Sequence, residues 1–113
     1  DKFGDDKFSL AFARIENHYF TNKGFFPRDG YLLEKERIDR IRKIPTVIVQ
    51  GRYDVVCPAV TAYDLTQAMP EAQAVYTTTG HSGFEKEIIS HLVAATDRFA
   101  KKLVGCAMNL KSI

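Results

Sequence analysis

No run of apolar residues in this sequence approaches the roughly 20 that a membrane-spanning helix needs, the longest being only a few residues. A helical span is not expected. Charge of one sign is not concentrated either: 16 Lys+Arg stand against 14 Asp+Glu, net +2, interspersed along the chain. No basic stripe for nucleic acid is implied. Cysteine is scarce, with Cys57 and Cys106 49 positions apart, no CxxC and no ligand-spaced histidine cluster. That usage favours a reduced, intracellular setting, with a single disulfide as the alternative. The first residues, Asp1 to Lys7, lack an initiator Met and a basic segment followed by an apolar one. No signal peptide is expected, and the start reads as interior. Repeats and low-complexity tracts are absent, and the 4 Pro and 7 Gly fall singly, as punctuation.

What is present is globular in character. At 113 residues, 45% hydrophobic and 27% charged, the chain has the length of one domain and buries about two-thirds of its surface if it folds as one. Phe8, Ala11, Phe12, Ile15 and Tyr19 recur at three- and four-residue spacing. They predict a helix from about Asp6 to Phe20, with Asp5 or Asp6 as its cap. Pro27-Arg28-Asp29-Gly30 has turn chemistry. A second helical stretch is expected over Leu32 to Arg42, with Leu33, Ile38 and Ile41 on one side.

Beyond Pro45 the pattern changes. Thr46-Val47-Ile48-Val49-Gln50 is a β-branched run of nearly continuous apolarity, as expected of a strand covered on both faces in a parallel sheet. Residues Ala59 to Met69 predict a helix with Pro58 at its start. A second strand is expected at Gln73 to Thr78, and a long helix from about Phe84 or Glu85 to Leu103. The order strand, helix, strand, helix is the α/β rhythm of a parallel sheet. Two strands are too few for such a sheet. A partner chain, an exchanged element or a preceding portion is needed to complete it.

Candidate chemistry sits in the loops after the strands, because ligands gather at the carboxyl ends of parallel strands. Gly51-Arg52-Tyr53-Asp54 places a carboxylate after the first strand, and Gly80-His81 an imidazole after the second. On neighbouring strands the two side chains meet at one sheet edge. A carboxylate there fixes the imidazole tautomer and leaves the other nitrogen free as a base. Alone, such an Asp is ordinarily a turn former or helix cap, and such a His satisfies a loop backbone. In sequence, Asp then His follows the last two members of the Ser, Asp, His order of the α/β-hydrolases.

Three longer stretches, Ala13-Arg14-Ile15-Glu16-Asn17-His18-Tyr19-Phe20, Ile44 to Pro58 with Gly51-Arg52-Tyr53-Asp54-Val55-Val56-Cys57-Pro58 at its end, and Gly80-His81-Ser82, resemble the proline iminopeptidases. These are serine peptidases of the α/β-hydrolase fold. The resemblance runs from about Phe8 to Ala100 and covers the family's C-terminal third. It implies the end of a helical cap domain over residues 1–40 and the last part of a hydrolase domain over 41–113. It implies Asp54 as the triad acid, His81 as the general base, and Glu16 as a cap-domain carboxylate holding the substrate's α-ammonium. Without the resemblance Glu16 is an ordinary solvated helix carboxylate. Cys57 reads as a small buried apolar residue near the catalytic loop, and His18 as packing or support.

The family's Gly-x-Ser-x-Gly elbow has no counterpart in the chain, nor has its oxyanion-hole loop. The expectation is thus a C-terminal piece of an enzyme that releases N-terminal proline from peptides, cytoplasmic, without metal or organic cofactor. Its nucleophile would come from the N-terminal part of the same enzyme, and the chain alone would be inactive. Two rivals stand beside this: another α/β-hydrolase, esterase-like, and a non-catalytic interaction module that kept a hydrolase remnant. Exposed strand edges and apolar helix faces would make the isolated chain prone to association.

Overall fold

The computed structural model describes residues 4–109, and the chain divides into two compact units between Leu32 and Leu33. The first unit is dominated by α1 (Asp6–Thr21). Asp5 is its cap, with Oδ1 accepting from the Phe8 N–H at 2.7 Å. Such caps contribute about 1 kcal/mol by satisfying an orphan helical donor. At the other end the Thr21 hydroxyl donates to the Asn17 carbonyl at 2.7 Å and Asn22 Nδ2 to that of His18 at 2.8 Å. The second of these bonds serves a carbonyl of the last turn, where the helix leaves its acceptors without donors.

A 3₁₀ turn, Lys23–Phe25, follows with positive φ at all three residues: 52°, 62° and 61°. Only Gly24 adopts that region freely. The Phe25 ring packs 5.2 Å from His18 and 5.6 Å from Tyr19, centroid to centroid. This aromatic cluster offsets the strain at the two flanking residues, and it gives His18 its packing role.

The helical stretch expected from Leu32 splits. A 3₁₀ turn, Tyr31–Leu33, precedes α2 (Lys35–Ile41). Glu34 stands between them with extended backbone, ψ 136°, and its carbonyl accepts from Arg37 and Ile38 as the helix begins. Ile38 is almost fully buried. Arg42, just past the helix, reaches Glu71 with Nη1 at 2.6 and 2.7 Å and the Ala68 carbonyl with Nη2 at 3.1 Å. That fork ties α2 to the end of the next helix.

Strands β1 (Val47–Gly51) and β2 (Gln73–Thr77) pair in parallel, from Val47 opposite Gln73 to Gly51 opposite Thr77. Between them runs α3 (Ala59–Ala68), and after them α4 (Lys86–Asn109). Both helices pack on β1, and α4 also on β2. The chain is therefore α/β, as expected. The side chains of Leu103 and Cys106 lie outside the described residues.

Among the described residues the buried apolar set is small: Ile38, Ala62, Met69, Ile88 and Ala95. A fully buried side chain the size of Ile38 or Met69 contributes about 1.5–3 kcal/mol. In α3, Val60 and Tyr63 are exposed and Ala62 is the buried residue, while Ile41, Ile89, Leu92 and Val93 remain partly in solvent. β1 is half-buried up to Gly51 instead of covered on both faces. The cause is the narrow platform, since two strands offer the helices too little sheet to cover their apolar faces. No helix among the described residues is long and apolar enough to cross a membrane.

Candidate active site

Parallel pairing brings both strands to their carboxyl ends side by side, so the loops they feed must pass close together. Gly51 ends β1 at the point of nearest approach. A Cβ added there would lie 2.0 Å from the Gly80 carbonyl oxygen and 2.8 Å from that of Thr79. Only a residue without a side chain permits this contact. The ladder continues past the strands, with Arg52 N–H donating to the Thr77 carbonyl and Tyr53 N–H to that of Thr79, each at 2.9 Å.

Buried side chains fasten the same junction. Thr77 is fully buried; its hydroxyl lies 3.3 Å from the Gln50 carbonyl and 2.6 Å from the Thr79 hydroxyl. Gln50 Nε2 donates to the carbonyls of Gly51 and Cys57 at 2.9 and 3.0 Å. From α4's side, Glu85 Oε1 accepts from Gly80 N–H at 2.9 Å, and Glu87 Oε2 from both the N–H and hydroxyl of Thr78 at 3.2 Å.

On this junction Asp54 and His81 meet. His81 Nδ1 lies 3.1 Å from Asp54 Oδ1 and 3.0 Å from Oδ2. Asp54 Oδ1 also accepts from Cys57 N–H at 2.8 Å. The Cys57 amide is the main cause holding the Asp54 carboxyl below its usual range, with His81 adding to it and partial burial opposing both. An ionised Asp54 accepts a hydrogen bond from Nδ1–H, so the ring carries its proton there and Nε2 is left with its lone pair. The exposures suit these tasks: the Asp54 side chain is 8% accessible and that of His81 55%. The carboxylate is sheltered while the imidazole faces outward.

Glu16 lies in the first unit, exposed on α1, and the dyad in the second. Cys57 is not the buried residue expected; it is exposed at the mouth of the turn. The turn's bond from its backbone to Asp54 holds the chain, so its side chain has no core to enter. Apolar side chains flank the dyad in both loops, with Val55 and Phe84 each 88% exposed. A separate cavity of about 230 Å³ opens at the other end of the strands, lined by Pro45, Thr46, Glu71, Gln73, Arg98 and Lys102 among others. It takes no part in the dyad.

Sequence reasoning missed the fastening residues. Gly51 and Gly80 read as punctuation, and Glu85 only as a possible start of the last helix. Their signal was the position of each at a strand end or helix start, which has meaning only when the loops are known to touch.

Comparison with known proteins supplies the rest. No family model matches the chain. Over 105 residues, 92% of the chain, it is 56% identical to the proline iminopeptidase of Arabidopsis thaliana. The chain is similar to proline iminopeptidases. The probable proline iminopeptidase of Leptolyngbya boryana is 57% identical over 106 residues, and that of Neisseria gonorrhoeae 44% over 96 residues. These matches span only 27%, 32% and 30% of the respective relatives. The chain thus covers about a third of the length of the proline iminopeptidases it matches, as a C-terminal fragment of them.

Proposed function

We propose that this chain is the C-terminal part of a proline iminopeptidase of the α/β-hydrolase fold, a serine-type exopeptidase that releases N-terminal proline from peptides. The observation that carries the reading is the Asp54–His81 Nδ1 hydrogen bond at the carboxyl ends of adjacent parallel strands. The high identity to proline iminopeptidases over this same stretch supports it. Residues 1–40 end a helical cap domain and residues 41–113 complete the hydrolase domain.

In this reading His81 Nε2 takes the proton from a serine hydroxyl as that oxygen attacks the prolyl carbonyl, and returns it to the departing amine. Asp54 keeps the ring in the required tautomer and stabilises the imidazolium that forms. Glu16 receives the substrate's α-ammonium, a charge-assisted contact that selects a free N-terminus. The serine and the oxyanion donors come from the N-terminal part of the same enzyme, which also covers the half-exposed sheet and helix faces. Alone, the 113-residue chain is inactive in this reading, because it has no Gly-x-Ser-x-Gly elbow to present a serine to His81.

Co-expression tests this. Prolyl-naphthylamide hydrolysis is absent from the chain alone, appears when the N-terminal part is supplied, and is lost again on His81→Gln. Turnover by the chain alone, or full activity in the His81 variant, overturns the proposal.

A further inference from the structure

The turn that holds Asp54 brings a third ligating side chain to the dyad. Asp54 Oδ1 closes the turn on the Cys57 N–H, and Gln50 Nε2 pins the Cys57 carbonyl. Cys57 is thereby fixed three residues beyond the carboxylate, a short chelate spacing like that of paired cysteine ligands. One ligating atom from each of Asp54, Cys57 and His81 lies within 4.8 Å of the others, and no other such group occurs among the described residues.

We propose that Asp54, Cys57 and His81 form a binding site for Zn²⁺ or a similar thiophilic divalent ion. One oxygen, one sulfur and one imidazole nitrogen form a donor set that such borderline-soft ions accept, while Mg²⁺ and Ca²⁺ prefer oxygen alone. Tetrahedral zinc with ordinary bond lengths separates its nitrogen and oxygen ligands by about 3.3 Å. His81 Nδ1 and Asp54 Oδ2 already stand 3.0 Å apart. Sulfur sits about 3.6 Å from either neighbour in that geometry. The exposed Cys57 side chain reaches it by rotation about its own bonds, with no core to disturb. Water fills the fourth position.

Loading the ion rearranges protons in a defined way. The Cys57 thiol loses its proton to solvent as the S–Zn bond forms. The His81 proton moves from Nδ1 to Nε2 as Nδ1 becomes a ligand, so one proton is released per ion. An imidazole protonated at Nε2 and bound through Nδ1 cannot accept a proton from a nucleophile. Metal binding stands on the cluster alone; its inhibitory consequence rests on the hydrolase reading.

The test is binding to the protein at its natural length, with Co²⁺ as the optical probe and Zn²⁺ as competitor. The expected result is a near-ultraviolet thiolate-to-cobalt band that Zn²⁺ displaces, with one proton released per Zn²⁺ in buffer-matched calorimetry. Cys57→Ser abolishes the band and weakens Zn²⁺ by at least about hundredfold, since even outer-shell changes cost up to that factor. His81→Asn weakens Zn²⁺ comparably, and Cys106→Ser leaves band and affinity unchanged. A band that survives Cys57→Ser, or that disappears with Cys106→Ser, overturns the site whether or not the protein hydrolyses prolyl amides. If the site binds and the hydrolase reading also holds, Zn²⁺ inhibits the parent enzyme and fails to inhibit Cys57→Ser at the same concentration.

Discussion

The backbone of Gly51 runs so close to Gly80 that a single added carbon on Gly51 would lie 2.0 Å from the Gly80 carbonyl oxygen. This contact sets the spacing of the two loops that carry Asp54 and His81. Gly51→Ala therefore forces backbone apart where no flexible side chain can yield. Overpacking of this kind costs about 1–3 kcal/mol, and the dyad separates with the loops. Gly80→Ala is milder, because the nearest atom is the Glu85 carboxylate oxygen at 3.3 Å. Urea unfolding of the two variants should rank Gly51→Ala well below Gly80→Ala; equal midpoints would refute the steric account.

Asp54 links the site to acid stability. Its carboxyl is held below the ordinary aspartate range in the folded protein, chiefly by the Cys57 amide, with His81 adding to it. A depressed carboxylate contributes stability that is present above the unfolded pKa and is lost as pH falls through the folded one. Asp54→Asn should accordingly flatten the loss of stability below about pH 4, the ordinary aspartate range. Denaturant midpoints measured from pH 6 down to pH 2 for parent and variant check this, and identical slopes would count against it.

Glu85 is a positioning residue in the proposed enzyme, acting on His81 through the Gly80 amide. Glu85→Ala frees that N–H and loosens the loop, which should lower kcat about tenfold to hundredfold, as small misplacements do, with KM little changed. Glu85→Gln retains the accepting oxygen and should restore most of the loss. A rise in KM with kcat intact would assign Glu85 to substrate binding instead.

For Glu16 the expectation concerns the substrate's charge. In the full-length enzyme Glu16→Gln should raise KM steeply for prolyl amides and spare a neutral ester of the same acyl size, because only the amide with a free α-ammonium uses the carboxylate. Parallel losses on both substrates would remove Glu16 from that role.

The Arg42 fork gives a stability test remote from chemistry. Arg42→Lys keeps one charge but cannot span Glu71 and the Ala68 carbonyl together. Its thermal midpoint should fall more than that of Lys35→Ala, whose ion pair with Asp39 lies within one exposed helical turn. The reverse order would show that the fork adds nothing beyond charge.

Much of this was legible before any coordinates. The spacing of Phe8, Phe12, Ile15 and Tyr19 located α1 to within a residue, and Asp5 had the chemistry of its cap. The β-branched run after Pro45 and the order of elements identified an α/β chain, and the Asp and His after successive strands were legible as a pair that neighbouring strands bring together. Helix and strand periodicities are local properties, so a linear sequence displays them.

Tertiary structure decided what depends on groups distant along the chain. Which of α3's apolar residues is buried follows from where β1 lies, so Ala62 turns inward while Val60 and Tyr63 do not. That Cys57 is exposed beside the dyad follows from a turn closed on Asp54, and no apolar pattern encodes it. The sequence has only two cysteines and no CxxC, and the mixed cluster of Asp54, Cys57 and His81 forms only when two strand ends, 27 residues apart between Asp54 and His81, are brought together across Gly51 and Gly80.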